Sequence, residues 1–156
     1  MKITINQKAP DFTLTNTEGE EVSLSDFNGK KKVVLLFFPL AFSSVCTDEL
    51  CTTRDNMKLY NSMDAKVLAI SVDSFFALNA FKKAENLNFT LLSDFNKSVS
   101  AQYDSLYEEY YGMRGVSKRS AFIIDPEGIV RYREILEDSG TQPDFDAISD
   151  TLAALG

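Results

Sequence analysis

The run KKVVLLFF, residues 31–38, limits the possible folds of this chain more than any other segment. After its two lysines it is apolar without a break and rich in β-branched and aromatic residues, which is typical of a strand buried on both faces. Such strands lie in the middle of α/β sheets, where helices cover both sides. A second run of this kind, AKVLAISVD at residues 65–73, follows a segment of helical periodicity. The two runs therefore predict a βαβ unit at the centre of the fold.

Weaker patterns extend this unit in both directions. The expected elements are an N-terminal hairpin in residues 11–24, helices at 43–63, 74–87, 96–104 and 144–155, a strand at 89–94, and a second hairpin with strands at 120–125 and 129–134. This order predicts an α/β, thioredoxin-like fold with a mixed central sheet, helices on both faces and an N-terminal β-hairpin. Because the chain has 156 residues, 44% of them hydrophobic, we expect one domain spanning residues 1–156.

The charge and hydropathy of the chain disfavour several classes of partner. A net charge of −7 argues against nucleic acid and anionic membranes, because both require a concentrated positive surface. The longest apolar run, VVLLFFPLAF, is too short to cross a bilayer, and the N-terminal MKITINQKAPDF lacks the apolar region of a secretory signal. We therefore expect a cytosolic, cytoplasmic protein whose two cysteines are reactive rather than joined in a structural disulfide.

The segment FFPLAFSSVCTDELC holds both cysteines, in a chain that contains no histidine. A free thiol is mostly protonated at neutral pH, and many catalytic cysteines depend on a histidine to ionise. Ser43 and Ser44 are both good N-cap residues, so we expect Cys46 in the first turn of a helix, where free N–H groups and the helix dipole favour an anion. Asp48 and Glu49, which suit the same turn, oppose this effect. From position alone, Cys46 is either an activated thiolate or a small core residue.

The wider pattern around Cys46 resembles the peroxiredoxins, the alkyl hydroperoxide reductase and thiol-specific antioxidant superfamily. The family's active-site loop reads P-x-x-x-[ST]-x-x-C, and PLAFSSVC at residues 39–46 matches it with serine in place of the commoner threonine. Three further segments also look like the family: APDFTL near the start, LLSD later in the chain and KRSAFIID at residues 118–125. The likeness covers nearly the whole chain and is greatest to the E and Q, or bacterioferritin-comigratory-protein, groups.

This resemblance implies a thiol-dependent peroxidase that reduces hydrogen peroxide and organic hydroperoxides. Cys46 is then the thiolate that attacks the O–O bond and becomes a sulfenic acid. Arg119 corresponds to the arginine that the family places just before a strand, where it stabilises the thiolate and contacts the peroxide. Ser43 and the backbone N–H of Cys46 orient the peroxide, and Pro39 shields the sulfur from water.

The second cysteine, Cys51, stands five residues after Cys46, which is the spacing of the resolving thiol in the Q group. The resemblance therefore implies a Cys46–Cys51 disulfide that thioredoxin or a similar thiol then reduces. On an intact helix two residues five apart are roughly 8.6 Å apart at Cα, whereas disulfide Cα pairs lie about 4.4 to 6.8 Å apart. The start of the helix must therefore unwind for this bond to form. The alternative is that Cys51 packs in the helix and an external thiol resolves Cys46.

Other interpretations of the same residues stay open. Glu49 either pairs with Arg119, pairs with Arg54 or is solvated. Oxidation of Cys46 also suits a peroxide-sensing redox switch that changes a partner surface, and repeated turnover would distinguish an enzyme from such a sensor. A disulfide oxidoreductase is disfavoured because Ser43 occupies the place of the first cysteine of a C-x-x-C pair.

No metal or organic cofactor is expected. Since the chain has no histidine and only two thiols, a zinc or iron–sulfur site lacks ligands, and there is no glycine-rich phosphate loop.

The segment YEEYYGMRG precedes Arg119 in an expected loop, and aromatic residues and methionine are enriched at interfaces. The residues concerned are Tyr107, Tyr110, Tyr111 and Met113. By resemblance to the E group we expect a homodimer whose contact lies near the active site. The same residues also fit the roof of a monomer's pocket.

Overall fold

Nine short strands, five α-helices and one 3-10 helix (Leu24–Phe27) occur within residues 3–156, the part of the chain that this computed structural model describes. The strands are β1 (Thr13–Asn16), β2 (Glu21–Ser23), β3 (Lys32–Phe37), β4 (Ala65–Ser71), β5 (Thr90–Ser93), β6 (Leu106–Tyr107), β7 (Val116–Ser117), β8 (Ser120–Ile124) and β9 (Val130–Ile135). The helices are α1 (Ser44–Asp55), α2 (Met57–Ser62), α3 (Phe75–Ala84), α4 (Ser98–Gln102) and α5 (Phe145–Ala154). Over the same residues, no helix has the length and apolar character needed to span a bilayer.

Seven of the strands form one mixed sheet in the order β2-β1-β5-β4-β3-β8-β9. The central strands β3, β4 and β5 run parallel, and β8 and β9 extend the sheet on one side as an antiparallel hairpin. On the other side, β1 and β2 form the N-terminal hairpin, and β1 pairs antiparallel with β5. The predicted mixed sheet, its central βαβ unit and both hairpins are confirmed.

Helices cover both faces of this sheet, as predicted. One face packs against α1, α2, α3 and α5, through buried residues such as Leu50 and Phe81. The other face packs against α4 and the N-terminal segment, through residues such as Phe12, Val99 and Tyr103. Every residue of β3 is buried, because its apolar side chains alternate between these two cores.

Three segments that are distant in sequence meet at one edge of the sheet. β3 and β4 are parallel and in register, so their carboxyl ends lie side by side. The chain leaves β3 through Pro39 and enters α1 at this edge. β8 is antiparallel to β3, with Ser120 opposite Phe37, so β8 begins where β3 ends. Arg119, the residue before β8, therefore lies close to the start of α1.

Two helices differ from the prediction. The single helix expected over 43–63 is wrong, because α1 and α2 are separate helices that meet at Asn56. Asn56 has a non-helical φ of −108° and ψ of 8°, and its Nδ2 donates to the carbonyl of Thr52 at 2.8 Å. Asparagine side chains compete in this way with the helical backbone. α3 ends at Ala84, earlier than expected, and Asn86 beyond it has a positive φ of 51°.

The segment before Arg119 is not the plain loop that the sequence predicts. β6 and β7 pair as a two-residue antiparallel ribbon. Between them, Tyr110 and Met113 exchange backbone hydrogen bonds of 2.8 and 2.9 Å. Strands of two residues are too short to show a periodicity, which is why the sequence pattern does not reveal them.

Candidate active site

Cys46 is the third residue of α1 and is completely buried. Ser43 occupies the N-cap position, and its carbonyl accepts the first helical hydrogen bond from the N–H of Thr47 at 2.9 Å. The predicted position of Cys46 in the first turn is therefore confirmed. At this position the unpaired N–H groups of the helix and the positive end of its dipole act on the sulfur.

The side chain of Ser43 does not cap the helix. Its hydroxyl donates to the carbonyl of Leu40 at 2.7 Å instead of accepting from an N–H of the first turn. Asp48 and Glu49 lie beyond the first turn, which corrects the expectation from the sequence. The N–H groups of the first turn therefore stay available to an anion.

Arg119 lies directly against Cys46 and is 1% exposed. Its guanidinium has three different acceptors. Nη2 donates to the Cys46 sulfur at 3.3 Å, Nη1 to Oε1 of Glu49 at 2.6 Å, and Nε to the carbonyl of Ser139 at 3.0 Å. These contacts fix the planar fork in one orientation, with its charge facing the sulfur. Because water does not reach these groups, that charge is weakly screened.

Glu49 is fully buried, and its partner is Arg119. Of the interpretations that the sequence leaves open, solvation and pairing with Arg54 are wrong, since Arg54 pairs with Asp55 at 2.9 Å. The second carboxylate oxygen of Glu49, Oε2, has no hydrogen-bond partner among residues 3–156. Burial raises the pKa of Glu49 from 4.5 to about 7, against the opposing attraction of Arg119. The carboxyl group therefore holds a proton more readily than a solvated glutamate does.

The loop between β3 and α1 is held by a residue that follows β4. Asp73 accepts hydrogen bonds from the N–H of Ala41 at 2.8 Å and from the hydroxyl of Ser71 at 2.6 Å. Pro39 is buried at the start of this loop, and Phe42 near its end has a positive φ of 69°. Asp73 is absent from the sequence-based expectations. Its position just beyond the end of the buried parallel strand β4 is the signal that could have revealed it, because the carboxyl ends of parallel strands lie at the same edge of a sheet.

Cys51 lies two turns along the same helix, half-buried and with a free thiol. Burial raises the pKa of this thiol. The helix is intact between the two cysteines, so they stand on different faces. Beyond Cys51, Arg54 ties α1 to the end of α3: its Nη1 donates to the carbonyl of Glu85 at 2.6 Å, and its own carbonyl accepts from Asn88 at 3.4 Å.

These groups form a buried thiol faced by one fixed cation and by free helix N–H groups. Such a site favours an ionised sulfur and also an oxygen that becomes negative during a reaction. Among residues 3–156, no three side chains of histidine, cysteine, aspartate or glutamate form a group that could hold a metal ion.

Comparisons with known proteins agree with this chemistry. Residues 5–133 match the model of the AhpC/TSA family. A putative peroxiredoxin bcp of Coxiella burnetii is 42% identical over 133 residues, which cover 83% of this chain and 87% of that protein. Alkyl hydroperoxide reductase E of Mycobacterium tuberculosis is 35% identical over 155 residues, 98% of either chain. The crystal structure of peroxidoxin BcpB from Mycobacterium tuberculosis superimposes with a TM-score of 0.88, at 28% identity and 99% coverage of both chains.

Proposed function

This chain belongs to the AhpC/TSA family, the peroxiredoxins, and we propose that Cys46 is the residue with which it reduces hydroperoxides. Family membership confirms the expected enzyme class, a thiol-dependent peroxidase that takes a hydroperoxide as substrate and a thiol as reductant. The resemblance to the E and Q groups agrees with the two relatives described above. The proposal assigns the chemistry to individual residues of this chain.

The observation that carries the assignment is the contact between Arg119 and Cys46. A fully buried arginine within 3.3 Å of a free, fully buried thiol is costly for a protein whose cysteine serves only as packing. The same contact is useful to a thiolate nucleophile, because arginine keeps its charge at any accessible pH. A sulfur that only filled the core would need no such partner.

The proposed reaction begins with attack of the Cys46 thiolate on one oxygen of the peroxide. The sulfur–oxygen bond forms as the O–O bond breaks, so that Cys46 becomes a sulfenic acid and an alkoxide or hydroxide leaves. Arg119 and the free N–H groups of the first turn of α1 stabilise the negative charge on the departing oxygen. The hydroxyl of Ser43 donates its proton to the carbonyl of Leu40, so the Ser43 oxygen can accept a hydrogen bond from the peroxide. Pro39 keeps competing donors and water from the sulfur.

We assign the second half of the cycle to Cys51. Its thiol attacks the sulfenic acid, water leaves, and a Cys46–Cys51 disulfide remains for a dithiol such as thioredoxin to reduce. The position of Cys51 on the same helix supports this assignment, because no distant element has to move. Residues 46 to 51 must leave the helical conformation, and Arg54 limits this unwinding to the part of α1 that precedes it. A cytosolic location for the cycle stays a prediction.

We further propose that the enzyme is a homodimer that meets through the turn between β6 and β7. Tyr111 is 87% exposed and Met113 39% exposed, whereas Tyr107 is buried and stacks on Tyr110, with the ring centroids 5.5 Å apart. Exposed aromatic and methionine side chains favour an interface. Sedimentation of the wild type and of Tyr111→Ser tests this: a dimer that weakens in the variant supports the proposal. A single 17.4 kDa species in both contradicts it.

Peroxide consumption with dithiothreitol or thioredoxin as reductant tests the proposed function. We expect the wild type to consume many equivalents of hydrogen peroxide, Cys46→Ser to consume none, and the matched variant Cys51→Ser to retain a fast first turnover. A peroxide sensor would instead consume about one equivalent and then stop. Full activity of Cys46→Ser would overturn the assignment of the nucleophile.

A further inference from the structure

Two acids share a single cation in the interior of this protein. Arg119 donates to the sulfur of Cys46 through Nη2 and to the carboxyl of Glu49 through Nη1. All three side chains are at most 1% exposed. The proposed function uses only the contact with the sulfur and leaves unexplained a buried carboxyl on the other side of the guanidinium.

The net charge of this cluster is zero only when one of its two acids is ionised. Arg119 is always protonated, so it contributes one positive charge. If Cys46 and Glu49 were both ionised, the cluster would hold an uncompensated negative charge away from water, which is unfavourable. If only one of them is ionised, the cluster is neutral. The favourable states therefore contain one proton between the two acids.

The surroundings of Glu49 place that proton on the carboxyl when the sulfur is ionised. Its Oε2 lacks any donor among the described residues, so Arg119, which donates to Oε1, is the one described partner that stabilises a negative charge on this carboxyl. A second acid that acts on Glu49 is Glu134 on β9, which already accepts from the hydroxyl of Tyr132 at 2.9 Å and from the N–H of Asp144 at 3.0 Å. Burial, and to a smaller extent the negative charge of Glu134, raise the pKa of Glu49, and Arg119 opposes both effects.

A further titratable group, Tyr107, faces the arginine. Tyr107 approaches Arg119 from β6, and its hydroxyl donates to the carbonyl of Leu136 at 3.1 Å. Burial raises the pKa of Tyr107, which keeps this phenol neutral at physiological pH. Tyr107 therefore adds no charge to the balance between the two acids.

We propose that Glu49 and Cys46 share one proton across the guanidinium of Arg119, so that Glu49 holds the proton whenever the sulfur is a thiolate. The inference rests on the proposed role of Cys46. The first step is Cys46–SH + Glu49–COO⁻ → Cys46–S⁻ + Glu49–COOH, which leaves the cluster charge unchanged. Attack gives Cys46–SOH and an alkoxide, and the alkoxide takes up one proton. Glu49 releases one proton when it ionises again, which compensates for the proton that the alkoxide takes up. The net reaction therefore converts a thiol and a hydroperoxide into a sulfenic acid and an alcohol.

The proposal predicts that oxidation of Cys46 ionises Glu49. A sulfenic acid carries no charge at neutral pH, so Arg119 is left with Glu49 as its only anion. The resulting full ion pair holds α1 against β8 until the helix unwinds. Glu49 is therefore a positioning residue that acts through Arg119 and reports the oxidation state of the sulfur.

Infrared spectroscopy of the carboxyl group tests the proton directly and needs no peroxidase activity. At neutral pH we expect the carbonyl stretch of a protonated, buried carboxylic acid in the reduced wild type. The band should be absent from Glu49→Gln and strongly reduced in Cys46→Ser, whose hydroxyl does not ionise. The exposed neighbour Asp48 provides the control, and Asp48→Asn should leave the band unchanged. A band of equal size in wild type and Cys46→Ser would overturn the sharing of the proton.

The pH dependence of the first peroxide turnover is the second test, measured in a Cys51→Ser background. Two coupled acids lose their protons in two macroscopic steps, so the wild-type rate should rise with pH in two steps. Glu49→Gln should rise in a single step and reach its plateau at lower pH, while Glu49→Asp keeps two steps. A role of Glu49 in structure alone would change the plateau and not the shape. Identical shapes for wild type and Glu49→Gln would contradict the proposal while leaving Cys46 as the nucleophile.

Discussion

Arg119 and Cys46 lie 3.3 Å apart at Nη2 and Sγ, although 73 positions separate them in the sequence. The central strand explains how they meet. The loop that follows β3 leads to Cys46, and β8, which pairs antiparallel with β3, begins directly after Arg119. The sheet register therefore sets the distance between the cation and the sulfur. Changes to either residue should alter the reaction without altering the sheet.

Arg119→Met should slow the first attack on peroxide by about 10²- to 10³-fold, because a fixed charge facing the developing oxyanion is lost. Stopped-flow measurement of a single turnover checks this. Arg131→Met is the matched control, since Arg131 pairs with Asp125 near the other end of β8 and should keep the wild-type rate. Equal rates in the wild type and Arg119→Met would show that the arginine does not assist the reaction.

Arg119→Met should also lower the free energy of unfolding by about 3 kcal/mol, because Glu49 stays buried without its partner. Adding Glu49→Gln to this variant removes the buried acid and should restore part of that loss. Urea unfolding of the single and double variants measures both effects. A double variant less stable than Arg119→Met would contradict the explanation.

Ser43→Ala should slow the first turnover by roughly 10-fold or more, because the peroxide loses the hydrogen-bond acceptor proposed for it. Ser43→Thr keeps the hydroxyl and should stay within a few-fold of the wild type. The side chain of Ser43 does not cap α1, so Ser43→Ala should leave the helix content by circular dichroism unchanged. A wild-type rate in Ser43→Ala would remove Ser43 from the proposed site.

Oxidation by one equivalent of peroxide should speed the hydrogen exchange of amides from Val45 to Thr53, because the Cys46–Cys51 disulfide cannot form on an intact helix. Amides of α3 should keep their exchange rates and serve as the internal reference. Cys51→Ser should abolish the change and make Cys46 easier to over-oxidise. Unchanged exchange, with Cys51 found as a free thiol, would instead indicate resolution by an external thiol.

The pH dependence of stability tests the shared proton. Taken alone, Glu49 makes the reduced protein less stable as the pH rises from 4.5 to about 7, because the folded protein holds a proton on Glu49 that the unfolded chain has released. In the proposed cluster the folded Cys46 has released a proton that the unfolded thiol keeps, so the two effects cancel. Urea unfolding at several pH values should therefore show no slope from this pair in the reduced wild type or in Asp48→Asn. A fall that approaches ~1.4 kcal/mol per pH unit in the wild type and is absent from Glu49→Gln would contradict the shared proton.

The sequence predicts the centre of the sheet because β3 and β4 are long and apolar enough to show their burial. KKVVLLFF and AKVLAISVD both contain buried parallel strands, β3 and β4, and the first turn of α1 begins where the serines indicate. The ribbon of β6 and β7 and the break at Asn56 depend on single turns and single hydrogen bonds. Such features have no periodicity, so no pattern in the sequence reveals them.

The sequence also indicates the residues around the sulfur more readily than their contacts. Cys46 and Arg119 belong to segments that resemble a family, whereas the burial of Glu49 depends on packing between α1 and β8. The carbonyl of Ser139, which holds the guanidinium, is a backbone group and leaves no trace in residue type. Asp73 could have been found from its place at the end of a parallel strand.

The site of first oxidation tests the central claim most directly. Reduced protein is treated with one equivalent of hydrogen peroxide together with a trap for sulfenic acid, and the modified residue is identified by mass spectrometry in the wild type and in Cys51→Ser. The account predicts a trapped sulfenic acid on Cys46 in Cys51→Ser, and a Cys46–Cys51 disulfide in the wild type. Trapping on Cys51 while Cys46 stays a free thiol would contradict it.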